Sequence, residues 1–143
     1  MTEKKRKPKK KQKKSFIQTS GKRKRAIARA VLKPGKGIIR INKKLLSTIT
    51  PNVAQASIME PLILAGDIPS TVNIDVHVRG GGWQGQAEAV RVAIGRALVG
   101  HDKKLKKIFL EYDRHILIQD VRRVEQSKPN DSKARKARQK SYR

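Results

Sequence analysis

Two stretches of this chain cannot contribute to a folded interior, and they fix how much is left to fold. Residues 1–14 hold nine Lys or Arg and one Glu, and residues 128–143 hold seven Lys or Arg and one Asp. Segments so poor in apolar side chains cannot bury enough surface to offset the entropy of ordering them. The sequence therefore predicts a basic arm over 1–14 that stays disordered until a polyanion holds it. A single domain over 15–127 and a basic C-terminal tail over 128–143 complete the chain. From Ser132 to Lys140 the tail is rich in good helix formers, yet its cations repel one another, so the expectation is an extended or partly helical segment that orders on binding. At roughly 3.3 Å per residue such a tail spans about 50 Å when fully extended.

The formal charge of +25 divides accordingly: +8 in the arm, +6 in the tail and +11 in the domain between them. With 36% apolar residues in 143, one modest core is affordable and two are not. The absence of cysteine excludes disulfide frameworks, thiolate metal sites and cysteine nucleophiles. No apolar run approaches the ~18 residues of a membrane-spanning helix. The basic start is not followed by the apolar stretch of a signal peptide. A soluble cytoplasmic protein without membrane contact is the expectation.

Between the two ends the pattern reads as a compact α+β unit, a small sheet covered by helices. Residues 15–20 and 26–32 read as strands separated by the basic knot Lys22, Arg23, Lys24, Arg25. Lys33-Pro34-Gly35-Lys36-Gly37 is a turn, after which Gly37 to Ile41 is expected to return as the partner strand. A short helix is expected over Leu45–Ile49. Pro51 suits the first position of another helix, which should stop or kink before Pro61. Thr71–Val78 is the clearest strand, with Val72, Ile74, Val76 and Val78 on one face and Thr71, Asn73, Asp75 and His77 on the other. A helix follows to Val99, since Val90, Ile94, Ala97 and Leu98 share one helical face. Asp102 can cap a further helix whose Leu105, Ile108 and Phe109 face inward while its lysines form a solvated face.

The stretch Gly80-Gly81-Gly82-Trp83-Gln84-Gly85-Gln86 satisfies the glycine spacing of a dinucleotide-binding loop. Two features count against that reading. The preceding strand alternates instead of being apolar throughout, and a lysine-rich helix occupies the span where an acidic residue should end the next strand. The loop is better read as a tight strand-to-helix turn whose unobstructed backbone amides can approach a phosphate. Catalytic groupings are weak. His77, His101 and His115 lack metal-ligand spacing, the carboxylates do not cluster, and Asp75 with His77 is more economically a solvated pair than an acid/base couple. Asp113, Arg114, Asp120, Arg122 and Arg123 mix structural salt bridges with phosphate contacts. No cofactor, metal or small-molecule substrate is expected, and no enzymatic activity.

Nucleic acid is the natural partner for this charge distribution. If about a dozen cations engage phosphates, counterion release gives a log–log salt slope near −8 at ~0.7 per contact. The five aromatics, Phe16, Trp83, Phe109, Tyr112 and Tyr142, are scattered, so recognition through phosphates and shape fits better than a stacking sheet. The competing classes are a histone-like nucleic-acid-compacting protein and a nucleotide-binding enzyme using Gly80 to Gly85.

Gly80-Gly81-Gly82-x-x-Gly85-Gln86-x-x-Ala89-x-x-x-Ala93-x-Gly95-Arg96-Ala97-Leu98 resembles the signature of the universal small-subunit ribosomal protein nine family. So do Gly21-Lys22-Arg23-Lys24-Arg25 leading to Lys33-Pro34-Gly35-x-Gly37, and Asp120-x-Arg122-Arg123-x-Glu125 leading to a basic C-terminus. The ending Gln139-Lys140-Ser141-Tyr142-Arg143 is similar to the archaeal and eukaryotic branch. The resemblance implies a fold like the second domain of small-subunit ribosomal protein five. It also implies a structural role in the cytoplasmic ribosome, in the head of the small subunit beside neighbouring ribosomal proteins. Carried over residue by residue, it assigns ribosomal RNA contacts to Lys22, Arg23, Lys24, Arg25, Arg79, Gly80, Gly81, Gly82, Gln86, Arg122 and Arg123. Lys133, Arg135, Lys136 and Arg138 would line the RNA path of the tail, and Lys140, Ser141, Tyr142 and Arg143 would reach the peptidyl-site tRNA.

Overall fold

A computed structural model describes residues 16–127 and residue 129. The basic arm, and the tail with Lys133, Arg135, Lys136, Arg138, Lys140, Ser141, Tyr142 and Arg143, lie outside the described residues. Among the described residues five strands, β1 (Ile17–Arg23), β2 (Ala26–Pro34), β3 (Ile39–Ile41), β4 (Lys44–Leu45) and β5 (Val72–Arg79), form one mixed sheet in the order β1-β2-β5-β3-β4. Three α-helices accompany it among the described residues: α1 (Asn52–Leu64), α2 (Trp83–His101) and α3 (Leu105–Tyr112). This is the expected α+β class.

The sheet is half-covered, and the sequence periodicity says why. In β5 the alternate residues Val72, Ile74, Val76 and Val78 are buried, while Asp75, His77 and Arg79 on the other face are exposed. In β2 the buried row is Ala26, Ala28, Ala30 and Leu32. Three alanines in a row leave room for α2 to lie close to the sheet, and Ala89, Val90, Ala93, Ile94, Ala97 and Leu98 of that helix complete the core. The approach is closest at β1. A Cβ on Gly21 would stand 2.1 Å from the Ala89 carbonyl oxygen and 2.8 Å from the Ala93 nitrogen. Beside it the Thr19 hydroxyl donates to the Ala93 carbonyl at 2.7 Å.

Several details differ from the sequence reading. Residues 37–41 do not return against β2. β3 pairs parallel with β5, which lies between them, and pairs antiparallel with β4. Local turn chemistry favoured a hairpin, but the distant β5 carries the longer apolar row and takes the place beside β2. The side chain of Asn42 extends β3 by one artificial step, accepting from the Val78 N–H at 2.9 Å and donating to the Val78 carbonyl at 3.0 Å.

The segment expected as a short helix over 45–49 is a single 3-10 turn, Leu46–Thr48. α1 continues through Pro61 to Leu64 instead of stopping before it. Pro61 falls in the last turn and is fully buried, so one lost backbone hydrogen bond is set against burial of the ring. In α3, Leu105 and Phe109 are buried as expected but Ile108 is 45% exposed. The inward place is taken by Ile116, from the 3-10 turn Arg114–Ile116 that folds back over α2. The knot does not separate β1 from β2 as a whole: Lys22 and Arg23 belong to β1, opposite Ile27 and Ala26, and only Lys24 and Arg25 form the turn.

Candidate nucleic-acid interface

One end of the domain gathers three sequence motifs that are far apart in the chain. The Lys24–Arg25 turn rests against the glycine loop. A Cβ on Gly80 would meet the Arg25 carbonyl oxygen at 2.5 Å, and one on Gly81 would meet the Ala26 nitrogen at 3.1 Å. Both glycines also have positive φ, +78° and +67°, so neither position tolerates a side chain. Gln86 closes the loop, donating from its side-chain amide to the Gly80 carbonyl at 3.2 Å and from its backbone N–H to the Gly82 carbonyl at 2.9 Å. Gly82 stands at the N-cap of α2 with no side-chain cap, which leaves the first amides of a 19-residue helix facing outward.

The segment after α3 joins the same end. Arg23, a member of the knot, is turned toward its own domain. It pairs with Glu88 of α2 and, at 2.9 Å, with Asp120. It also donates to the Arg122 carbonyl at 3.4 Å. Its side chain is 13% exposed, whereas Lys22, Lys24 and Arg25 are exposed. Arg122 donates to Asp120 through its backbone N–H at 2.8 Å and its guanidinium at 2.7 Å, with its side chain 80% exposed. Arg79, at the end of β5, is exposed opposite Ile27, and Arg123 is exposed beyond Arg122.

The structure thus brings Lys24, Arg25, Gly80, Gly81 and Gly82 together, and leaves Lys22 exposed on β1, on the side of Asp120 and Arg122. It gives Arg23 and Gln86 internal partners. A count of positive charges cannot distinguish a free cation from one held by carboxylates distant in the sequence, such as Glu88 and Asp120.

A second cationic surface was not singled out by the sequence. The uncovered face of the sheet forms a shallow depression of about 750 Å³ bordered by Arg29, Arg40, Lys43, Asp75 and His77. Its signal was present in the polar residues that alternate with the buried rows of β2 and β5. Asp75 and His77 stand there on an open surface, not in an enclosed site. The dinucleotide reading also finds no support in the sheet, because β5 runs antiparallel to β2 and the order is not doubly wound. Among the described residues no helix is long and apolar enough to cross a membrane.

Hydrogen bonds from Arg122, with the nearby Arg23 guanidinium, hold the Asp120 carboxyl well below the ordinary carboxylate range, and the same pairing raises Arg122. Burial pushes the Asp113 carboxyl up, but the His115 amide and the Arg91 guanidinium outweigh it, so its net shift is downward. Both groups are therefore more acidic folded than unfolded. Their stabilisation is complete above the ordinary value of 3.8 and is lost as pH falls below it through the folded-state values. Asp120→Asn should accordingly lower the thermal midpoint at neutral pH, and the difference from the parent should close as pH falls below about 4. A difference that persists unchanged on acidification would mean that the carboxylate charge is not what holds the segment.

The match to known proteins spans nearly the whole chain. Residues 21–143 match the family model described as Ribosomal protein S9/S16. The chain is 47% identical over 131 residues to the small ribosomal subunit protein uS9 of Methanococcus vannielii, covering 89% of this chain and 98% of that protein. It is 48% identical over 131 residues, with the same coverage, to the small ribosomal subunit protein uS9 of Methanococcus maripaludis strain C7. The glycine loop, the knot and the pinned C-terminal segment all lie within the matched region, and the chain belongs to the ribosomal protein S9/S16 family.

Proposed function

We propose that this protein is a structural constituent of the small ribosomal subunit, not an enzyme. It binds ribosomal RNA of the subunit head through its domain and contacts peptidyl-site tRNA through its C-terminal tail. The observation that carries the reading is the convergence at one end of the domain. There the exposed cations Lys24 and Arg25 adjoin the side-chain-free loop Gly80 to Gly82 and Val124 of the C-terminal segment, while Lys22 lies on the side of Asp120 and Arg122. Cations beside backbone amides at a helix start suit phosphate oxygens. A tail of about 50 Å reach, leaving from the same end, suits a second and more distant nucleic acid. Lys133, Arg135, Lys136 and Arg138 would follow RNA along the way, and Lys140, Ser141, Tyr142 and Arg143 would meet the tRNA.

Protein neighbours in the head fit a different edge. Ile38, Leu45 and Met59 are exposed around a groove between β4 and α1. The cytoplasmic ribosome is the setting in which all of these contacts are made, and none of them calls for a cofactor or a small-molecule substrate.

Removal of residues 141–143 tests the tRNA half of the reading. The domain should stay folded and its affinity for ribosomal RNA should be essentially unchanged, while tRNA leaves the peptidyl site several-fold faster, by about 1 kcal/mol or more for each charged hydrogen bond lost. Off-rates equal to those of the full chain would refute the tail assignment.

A further inference from the structure

The same end of the domain holds a cavity that phosphate contacts alone leave unused. It has a volume of about 430 Å³ and lies between the Lys24–Arg25 turn and the start of α2, with Trp83 on its wall. Trp83 is 54% exposed and takes no part in the core. A half-exposed indole is a large planar apolar surface left in water.

The glycines beside it divide into two kinds. Gly80 and Gly81 are dictated by positive φ and by the close approach of Arg25 and Ala26. Gly82 and Gly85 are not. Gly82 has φ −93°, and a Cβ there would meet nothing within 4 Å. A Cβ on Gly85 would make only ordinary contacts, 3.7 Å from the Arg23 carbonyl oxygen and 3.8 Å from the Ala26 side chain. The fold therefore does not require the open space next to the indole. Glu88, a carboxylate on the wall, is already engaged by Arg23, so it does not repel an anionic ligand as a free carboxylate would.

We propose that this cavity receives one unpaired nucleobase of an RNA, stacked on Trp83, with Lys24 and Arg25 holding the flanking phosphates. The inference rests on the RNA-binding reading above and adds to it a recognition element that phosphates do not supply. A phosphate gains nothing from an indole face, whereas every base presents a π surface to it. A base splayed from a bulge or loop brings its own two phosphates to the cationic turn. Recognition would then be selective for an unpaired nucleotide while remaining tolerant of base identity.

The test uses the full chain, in which Trp83 is the single tryptophan, and three labelled RNA hairpins of equal length. One has a single bulged adenosine, one has an abasic bulge and one is perfectly paired. The bulged adenosine should quench indole fluorescence and bind about tenfold tighter than the abasic hairpin. Trp83→Ala should abolish that preference while leaving affinity for the paired hairpin unchanged. Gly85→Ala should raise thermal stability, since alanine is the better helix residue, yet reduce the preference by filling the gap between α2 and the turn. Equal affinity for all three hairpins without quenching, or a preference that survives in Trp83→Ala, would overturn the stacking site and leave phosphate recognition standing. Failure to bind any of the three would overturn both.

Discussion

Gly21→Ala should be the most damaging single-methyl change in the domain, lowering stability by about 3 kcal/mol or more, at the upper end of overpacking effects. The added carbon would lie 2.1 Å from a backbone oxygen of α2. A backbone atom in the middle of a helix cannot step aside as a side chain can. Relief requires α2 to lift from β1, which opens the packing of Ala89 and Ala93 and stretches the Thr19 hydrogen bond. For a domain of this size the thermal midpoint should fall by about 10 °C or more. Ser20→Ala, one residue away on the exposed face of the same strand, serves as the control and should change it little. Equal midpoints for the two variants would show that α2 does not rest on β1 as described.

Replacing Lys22, Lys24 and Arg25 together by alanine should leave the domain folded and reduce affinity for ribosomal RNA about a hundredfold near physiological salt. Three phosphate contacts removed at ~0.7 to 0.9 each should flatten the log–log salt slope by about 2 to 3. Arg23→Ala should behave differently. Its guanidinium serves Glu88 and Asp120, so its loss should lower stability and loosen the segment around Arg122 while the salt slope changes by less than one contact. An unaltered slope in the triple variant would make the exposed turn a merely solvated feature. A full-contact loss in Arg23→Ala would make that residue a phosphate ligand in spite of its partners.

Arg23 and Lys24, adjacent in sequence, show what the sequence could convey. Periodicity located β5 and α2 because each buries a repeating set, Val72 to Val78 and Val90 to Leu98, and burial is a property of the single element. Motif order located the glycine loop, since positive φ at Gly80 and Gly81 is a local demand. What stayed hidden depends on pairs. The parallel pairing of β3 with β5 is decided by which strand lies between, and no feature of 37–41 records it. Pro61 inside α1 and Ile116 in place of Ile108 are settled by the surface each meets. Likewise Arg23 looks like Lys24 in composition, and only the positions of Glu88 and Asp120 in space separate a cation committed to its own fold from one offered to a partner. The exposure of Trp83 was of this kind too: its type was visible, its surroundings were not.

Arg96 donates to the carbonyls of Ser20 and Leu117, each at 2.8 Å, and Arg23 joins the end of β1 to Asp120. Mechanically, the segment leading to the tail is riveted twice to the edge strand. A pull on that segment is therefore delivered to β1 at two separated points, Ser20 and Arg23. That strand is itself held to β2 by seven consecutive residue pairs, from Ile17–Leu32 to Arg23–Ala26. The C-terminal segment is thus fastened to the edge strand at two places and leaves the domain only if both links break.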